Sequence, residues 1–122
     1  MKKREVVLVV DEDQWVRDLT RDILELFGHT VLTSESGDHA LNLCHNRARD
    51  ITMLLLDSSG SSAEDIYDRI TALNPDVRVI ITSVKSADLS LDGLYQNAKA
   101  FLQKPYRMSE LMLAIDTVQE MS

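Results

Sequence analysis

Short apolar runs alternate with longer stretches of helical period along the whole chain. The runs, about Glu5–Val10, Thr30–Thr33, Thr52–Leu56, Val77–Thr82 and Ala100–Gln103, are rich in valine, leucine and isoleucine. Their length and near-continuous hydrophobicity predict strands buried on both faces. Between them, Val16, Leu19, Ile23 and Phe27 share one helical face, and Gly28 supplies a left-handed stop. Ser36-Gly37-Asp38 reads as a turn and cap before an apolar stripe of Ala40, Leu41, Cys44 and Ala48. Ile66, Ile70 and Leu73 mark a third helix, which Asn74-Pro75-Asp76 ends. Ala87, Leu91, Leu94, Tyr95 and Ala98 make a fourth stripe, weakened by Asp88, Ser90, Asp92 and Gly93. A fifth carries Leu111, Ala114, Ile115 and Val118, with Ser109 as a capping-type residue near its start. Five βα units in this order predict an α/β fold, a parallel sheet with helices on both faces.

Four of the runs end in side chains that carry chemistry. Val6–Val10 delivers Asp11, Met53–Leu56 delivers Asp57, Val79–Thr82 delivers Ser83, and Ala100–Leu102 leads through Gln103 to Lys104. Adjacent parallel strands put their carboxyl ends on one sheet edge, so two acids, a hydroxyl and an ammonium converge in one crevice. That set suits divalent metal and phosphoryl chemistry.

Composition narrows the picture. A chain of 122 residues, 44% hydrophobic and 27% charged, has the size and apolar content of one globular domain, 1–122. A net charge of −7 argues against direct contact with nucleic acid, and the only basic run is Lys2-Lys3-Arg4. Cys44 is the sole cysteine, so no internal disulfide forms, which fits a reducing, cytoplasmic setting. No apolar stretch approaches the roughly 20 residues of a membrane span. His29, His39 and His45 lack metal-ligand spacing and are expected at the surface. Trp15, beside the first acids, is expected as a partly buried anchor. The Ser58–Ser62 loop lacks the glycine-lysine-serine/threonine ending of a phosphate cradle.

Four motifs, Val9-Val10-Asp11-Glu12-Asp13, Leu55-Leu56-Asp57, Ile81-Thr82-Ser83 and Phe101-Leu102-Gln103-Lys104-Pro105, resemble in order and spacing the signatures of response-regulator receiver domains. The resemblance spans nearly the whole chain. It implies a flavodoxin-like (βα)5 three-layer sandwich with strand order 2-1-3-4-5, its crevice at the carboxyl ends of strands one and three. It further implies a phosphoacceptor switch in a two-component phosphorelay. Asp57 accepts the phosphoryl group of a phosphohistidine, and Lys104 offsets its charge. Asp11, Glu12, Asp57 and the backbone carbonyl of Ser59 hold Mg²⁺. Ser83 and Phe101 couple the phosphoryl group to the surface of the fourth helix, fifth strand and fifth helix, which includes Tyr106. The implied partners are a histidine kinase or histidine phosphotransfer protein. The chain is then a stand-alone regulator or a receiver of a larger protein such as a hybrid sensor kinase, with a homodimer as a further assembly, and a switch more than an enzyme.

The sequence departs from the family pattern near the site. Glu12 stands where the second acid is usually aspartate, and Ser61 and Asp65 stand where the loop after Asp57 usually carries proline and glycine. Asn97 replaces a frequent glycine before the last strand. Two other readings therefore stay open. One is a receiver-like interaction module that no longer takes phosphate. The other is an aspartate-nucleophile phosphatase of the haloacid-dehalogenase type using Asp11, although only Glu110, Asp116 and Glu120 follow Lys104 to supply its late acidic pair.

Overall fold

A computed structural model describes residues 3–47, 50–60, 62–84, 95 and 97–121. Its elements are β1 (Val6–Val10), α1 (Gln14–Leu26), β2 (Thr30–Ser34), α2 (Gly37–Arg47), β3 (Met53–Asp57), α3 (Ala63–Leu73), β4 (Arg78–Ser83), β5 (Ala100–Gln103) and α4 (Met108–Glu120). The five strands form one parallel sheet in the order β2-β1-β3-β4-β5. The segment expected to form the fourth of five helices lies mostly outside the described residues, and its tail, Tyr95 and Asn97, lies in turns.

Alternation along each strand sends side chains to two separate cores. Leu8, Val10, Leu54, Leu56, Val79 and Ile81 pack under α2 and α3 with Ala40, Cys44, Ile66, Tyr67 and Ile70. Val7, Val9, Met53, Leu55, Ile80 and Leu102 face α1 and α4, where Ile23, Leu24, Leu111, Ile115 and Val118 meet them. The result is helix layer, sheet, helix layer. Every residue of β3 is buried, as expected for the central strand of such a sandwich.

Several local expectations are corrected. α1 buries Thr20, Ile23 and Leu24, whereas Leu19 and Phe27 are exposed. The helix is rotated because the Thr20 hydroxyl has an internal partner, Tyr106 Oη, at 2.6 Å. Trp15 is 79% exposed and anchors nothing in this chain. His29 is buried, because its Nδ1 accepts the Glu5 amide proton at 3.0 Å. Leu73 is more than one-third exposed at the end of α3, and Tyr67 takes an inward place instead. Ser109 lies inside α4, whose cap is Arg107, its amide donating to the Glu110 carboxylate at 2.9 Å. Gly28 does adopt the left-handed conformation, φ +92°, that ends α1.

Candidate phosphoacceptor site

Strand register fixes where the reactive groups stand. Val10 pairs with Leu56 and Asp57 with Thr82, so Asp11, one residue past β1, and Asp57, the last of β3, emerge side by side. Ser83 pairs with Gln103, and the Lys104 amide donates to the Ser83 carbonyl at 2.7 Å, which delivers Lys104 to the same edge. Asp11 and Asp57 are only 5% and 9% exposed. Carboxylates so buried need partners.

Those partners are specific. Lys104 Nζ donates to Asp11 Oδ2 at 2.8 Å and lies 3.6 Å from Asp57 Oδ2. The other Asp11 oxygen accepts the Asp13 amide at 2.9 Å. Asp57 Oδ2 accepts the Ser59 hydroxyl at 2.6 Å and Oδ1 accepts the Ser59 amide at 3.2 Å. Burial works against the Lys104 charge, but the hydrogen bond to Asp11 and the fields of Asp11 and Asp57 outweigh it and hold the ammonium above its ordinary range. Two carboxylates share one ammonium, so the trio carries net charge −1 when all three are ionised. Beside it lies a cavity of about 40 Å³ lined by Asp11, Glu12, Asp57, Gly60, Glu35 and Gly37, among others. That is space for a small ion or a water molecule.

The hard oxygen donors of this cavity fit a hard divalent cation in chemistry. They are not drawn into a finished cluster: among the described residues, no three carboxylate, imidazole or thiol side chains are grouped for a metal. Asp11 and Asp57 meet at Lys104, while Glu12 stays exposed, its Oε1 3.7 Å from where a Cβ on Gly60 would stand.

Ser83 is buried at the end of β4. Phe101 pairs with Ile81 and packs with Tyr95 and Ala98 against the α2/α3 core. Ser83 lies two residues beyond Ile81, hence on the same sheet face as Phe101 and one rung along. Tyr106 is not a surface residue beside Phe101: it packs on the opposite core and bonds Thr20. Ser61 lies outside the described residues, and Asp65 is an exposed first-turn acid of α3, 3.6 Å from Arg69.

Some residues at the site went unread in the sequence. Arg17 Nη1 donates to the backbone carbonyls of Asp11 at 2.8 Å and Glu12 at 3.1 Å. A basic residue in the first turn of a helix that follows an acidic loop was the available signal. Ser58 fastens the loop after Asp57 by donating from its amide and its hydroxyl to the Thr82 carbonyl, at 2.8 and 2.9 Å. Gly37 has a steric reason: a Cβ there would stand 2.3 Å from Ile66 Cδ1, so α2 starts close against α3 at the cavity wall.

The family model of the response regulator receiver domain matches residues 7–116. The chain is 27% identical over 123 residues to a probable transcriptional regulator, ycf27, of Guillardia theta, covering 97% of this chain and 46% of that protein. It is 29% identical over 115 residues to the transcriptional regulatory protein CpxR of Escherichia coli (strain K12), covering 92% of this chain and 48% of that one. Among solved structures, NtrX from Brucella abortus, determined in complex with ADP, superposes with a TM-score of 0.86 at 26% identity, over 98% of this chain and 27% of NtrX. The chain thus spans about half the length of these curated relatives, and no helix among the described residues is long and apolar enough to cross a membrane. It belongs to the response regulator receiver domain family.

Proposed function

We propose that this domain is the phosphoacceptor switch of a two-component phosphorelay, taking a phosphoryl group from phosphohistidine onto Asp57. One observation carries the reading: the carboxylates of two neighbouring strand ends share a single ammonium, Lys104, at 2.8 and 3.6 Å, beside a cavity of ionic size. In the transfer an Asp57 oxygen forms the new P–O bond as the P–N bond to the donor imidazole breaks, its electron pair leaving with the nitrogen. Transfer through a loose transition state demands alignment and charge neutralisation more than covalent assistance. The Ser59 amide and hydroxyl orient the carboxylate, and Lys104 pairs with a phosphoryl oxygen. Asp11, Asp57, the Ser59 carbonyl and Glu12, turned inward, would hold Mg²⁺, which neutralises charge on the transferring oxygens. Buried Ser83 is drawn to the phosphoryl group, and Phe101, on the same face, repacks and alters the surface formed by the segment expected as the fourth helix, by β5 and by α4, the fifth expected helix.

The domain acts as a switch, with self-phosphotransfer and autodephosphorylation its only chemistry. Its partner is a histidine kinase or phosphotransfer protein. The naming of longer relatives as transcriptional regulators supports an output domain on a longer chain, with a kinase domain or a homodimer as further arrangements.

One observation favours the silent module: Glu12 stays at the rim, apart from the Asp11–Asp57 pair. Against the phosphatase, the acids that follow Lys104 stand elsewhere: Glu110 accepts the Arg107 amide at the start of α4, and Asp116 and Glu120 line a cavity with Glu5 at the other end of the sheet. Acetyl phosphate with Mg²⁺ separates the three. The expected result is one phosphoryl group on the intact protein, absent from Asp57→Asn. No addition at any metal concentration selects the silent module, and a phosphopeptide containing Asp11 selects the phosphatase.

A further inference from the structure

Helix α1 touches both halves of the site through two side chains one turn apart. Arg17 Nη1 bridges the successive carbonyls of Asp11 and Glu12 at 2.8 and 3.1 Å. Thr20, buried on the inner side, exchanges a 2.6 Å hydrogen bond with Tyr106 Oη, two residues past Lys104. The two loops they grip, the acid loop after β1 and the lysine loop after β5, are far apart in sequence and not adjacent in the sheet. Lys104 and Asp11 nevertheless meet across that gap at 2.8 Å. Strand register brings the two loops to one edge, and a single helix bonded to both holds their final separation.

We infer that α1 is a clamp on the phosphoacceptor site, with Arg17 a positioning residue for the acid loop and the Thr20–Tyr106 pair a positioning device for Lys104. This rests on the reading of Asp11, Glu12 and Lys104 given above. Arg17 fixes the peptide that joins the two acids, and so the point from which the long, exposed Glu12 side chain must reach inward. Without it the Glu12 carboxylate is dispersed over more positions, at an entropic cost to any ion it helps to hold. Nη1 alone makes both bonds, so a lysine ammonium, with three donors, can substitute for it.

The clamp and the plain electrostatic role of Arg17 predict opposite signs. A guanidinium beside an acid loop repels a divalent cation, so its removal alone should tighten metal binding. Loss of a clamp should weaken it, on the scale of an outer-sphere partner, roughly tenfold. The test is titration of the unphosphorylated domain with Mg²⁺ alone, read by the emission of Trp15, the only tryptophan, and by calorimetry. Arg17→Met should weaken Mg²⁺ roughly tenfold, and Arg17→Lys should restore affinity to near the wild-type value. Tighter or unchanged binding by folded Arg17→Met overturns the clamp.

Thr20→Val and Tyr106→Phe keep volume and charge and serve if Arg17→Met does not fold. At saturating Mg²⁺ each should slow phosphorylation by acetyl phosphate several-fold, and the double variant no further, because both remove one bond. Additive slowing, or none, overturns the second half of the clamp. Failure of the wild-type chain to take phosphate, with Mg²⁺ still weakened by Arg17→Met, removes the phosphoacceptor reading and leaves the clamp standing. A wild-type chain that takes no Mg²⁺ removes both.

Discussion

The two ends of the sheet solve the same problem in opposite ways. At the amino end of β1, Glu5 is 2% exposed, and its carboxylate accepts from Thr52 Oγ1 at 2.6 Å, Arg78 Nη2 at 2.6 Å and Gln119 Nε2 at 2.8 Å. Burial pushes its proton affinity up, yet these hydrogen bonds and the Arg78 charge prevail and hold its pKa below the usual range. One acid there receives three donors from three other elements or their flanks. At the carboxyl end, two acids receive one ammonium. The first arrangement matches one carboxylate with one guanidinium and two neutral donors, beside an open cavity of about 1200 Å³ lined by Glu5, Arg78 and Gln119, among others. The second leaves unbalanced charge beside a cavity of about 40 Å³, so it is charge balance, and not the presence of a cavity, that sets the two poles apart and supports the proposed site at the carboxyl end.

The strongest test of that contrast is to remove an acid from each pole. Glu5→Leu leaves Thr52, Arg78 and Gln119 without their shared acceptor and should cost about 3 kcal/mol or more in urea unfolding, the range for breaking a buried pair. Asp57→Asn relieves a crowded pair while Ser59 keeps an acceptor, so unfolding free energy should change by less than about 1 kcal/mol, with a gain the expected sign. Mg²⁺ at about ten times its Kd should add about 1.4 kcal/mol to the wild type and nothing to Asp57→Asn. Equal losses for the two substitutions would erase the distinction between the poles.

A smaller effect is expected where packing, not charge, shapes the pole at the carboxyl end of the sheet, the upper pole, with that of Glu5 the lower. Gly37→Ala puts a methyl into Ile66, whose side chain must turn away, at a cost of about 1–2 kcal/mol after the gain in helix propensity. The companion Gly37→Ala/Ile66→Val should recover part of that loss in thermal unfolding. Recovery would establish that the close start of α2 on α3, and not glycine's backbone freedom, sets the cavity wall.

Much of this was legible in the chain. All five strands were, because parallel strands buried on both faces leave unbroken apolar runs; the meeting of Asp11, Asp57 and Lys104 needed the strand order as well, which the family resemblance implied and the apolar runs did not. Long-range polar partners were not. The stripe Val16, Leu19, Ile23 and Phe27 looks like the inner face of α1 until Thr20 is known to bond Tyr106, 86 residues away. His29 looks exposed until Glu5 offers it an amide, 24 residues away. Periodicity registers hydrophobicity, and a polar side chain satisfied by a distant partner is invisible to it.

His29 supplies a pH test that belongs to the lower pole. Burial lowers its pKa, and the Arg4 charge adds to that, against the opposing fields of Glu5 and Asp116. The native state therefore binds the proton less readily than the unfolded chain, whose histidine titrates near 6.5. Stability should be constant above about pH 7 and fall as pH drops through 6.5 toward the depressed native value, at no more than about 1.4 kcal/mol per unit, the one-proton limit. Glu5, also depressed, adds its own loss only below its ordinary 4.5. His29→Asn, which keeps an acceptor for the Glu5 amide, should flatten the upper window in denaturant titrations and leave the lower one.

The smallest expected effect on stability is at Trp15, and its smallness makes it informative. A side chain 79% exposed has little native packing to lose, so Trp15→Ser should shift unfolding by less than about 0.5 kcal/mol. Acetyl phosphate, which needs no docking surface, should phosphorylate the variant at the wild-type rate. If a phosphohistidine protein brings its imidazole to Asp57 past the start of α1, transfer from that donor should slow markedly, through KM more than kcat. Equal rates from both kinds of donor would mean that the exposed indole serves neither pole, and that the partner reaches Asp57 from another side of the crevice.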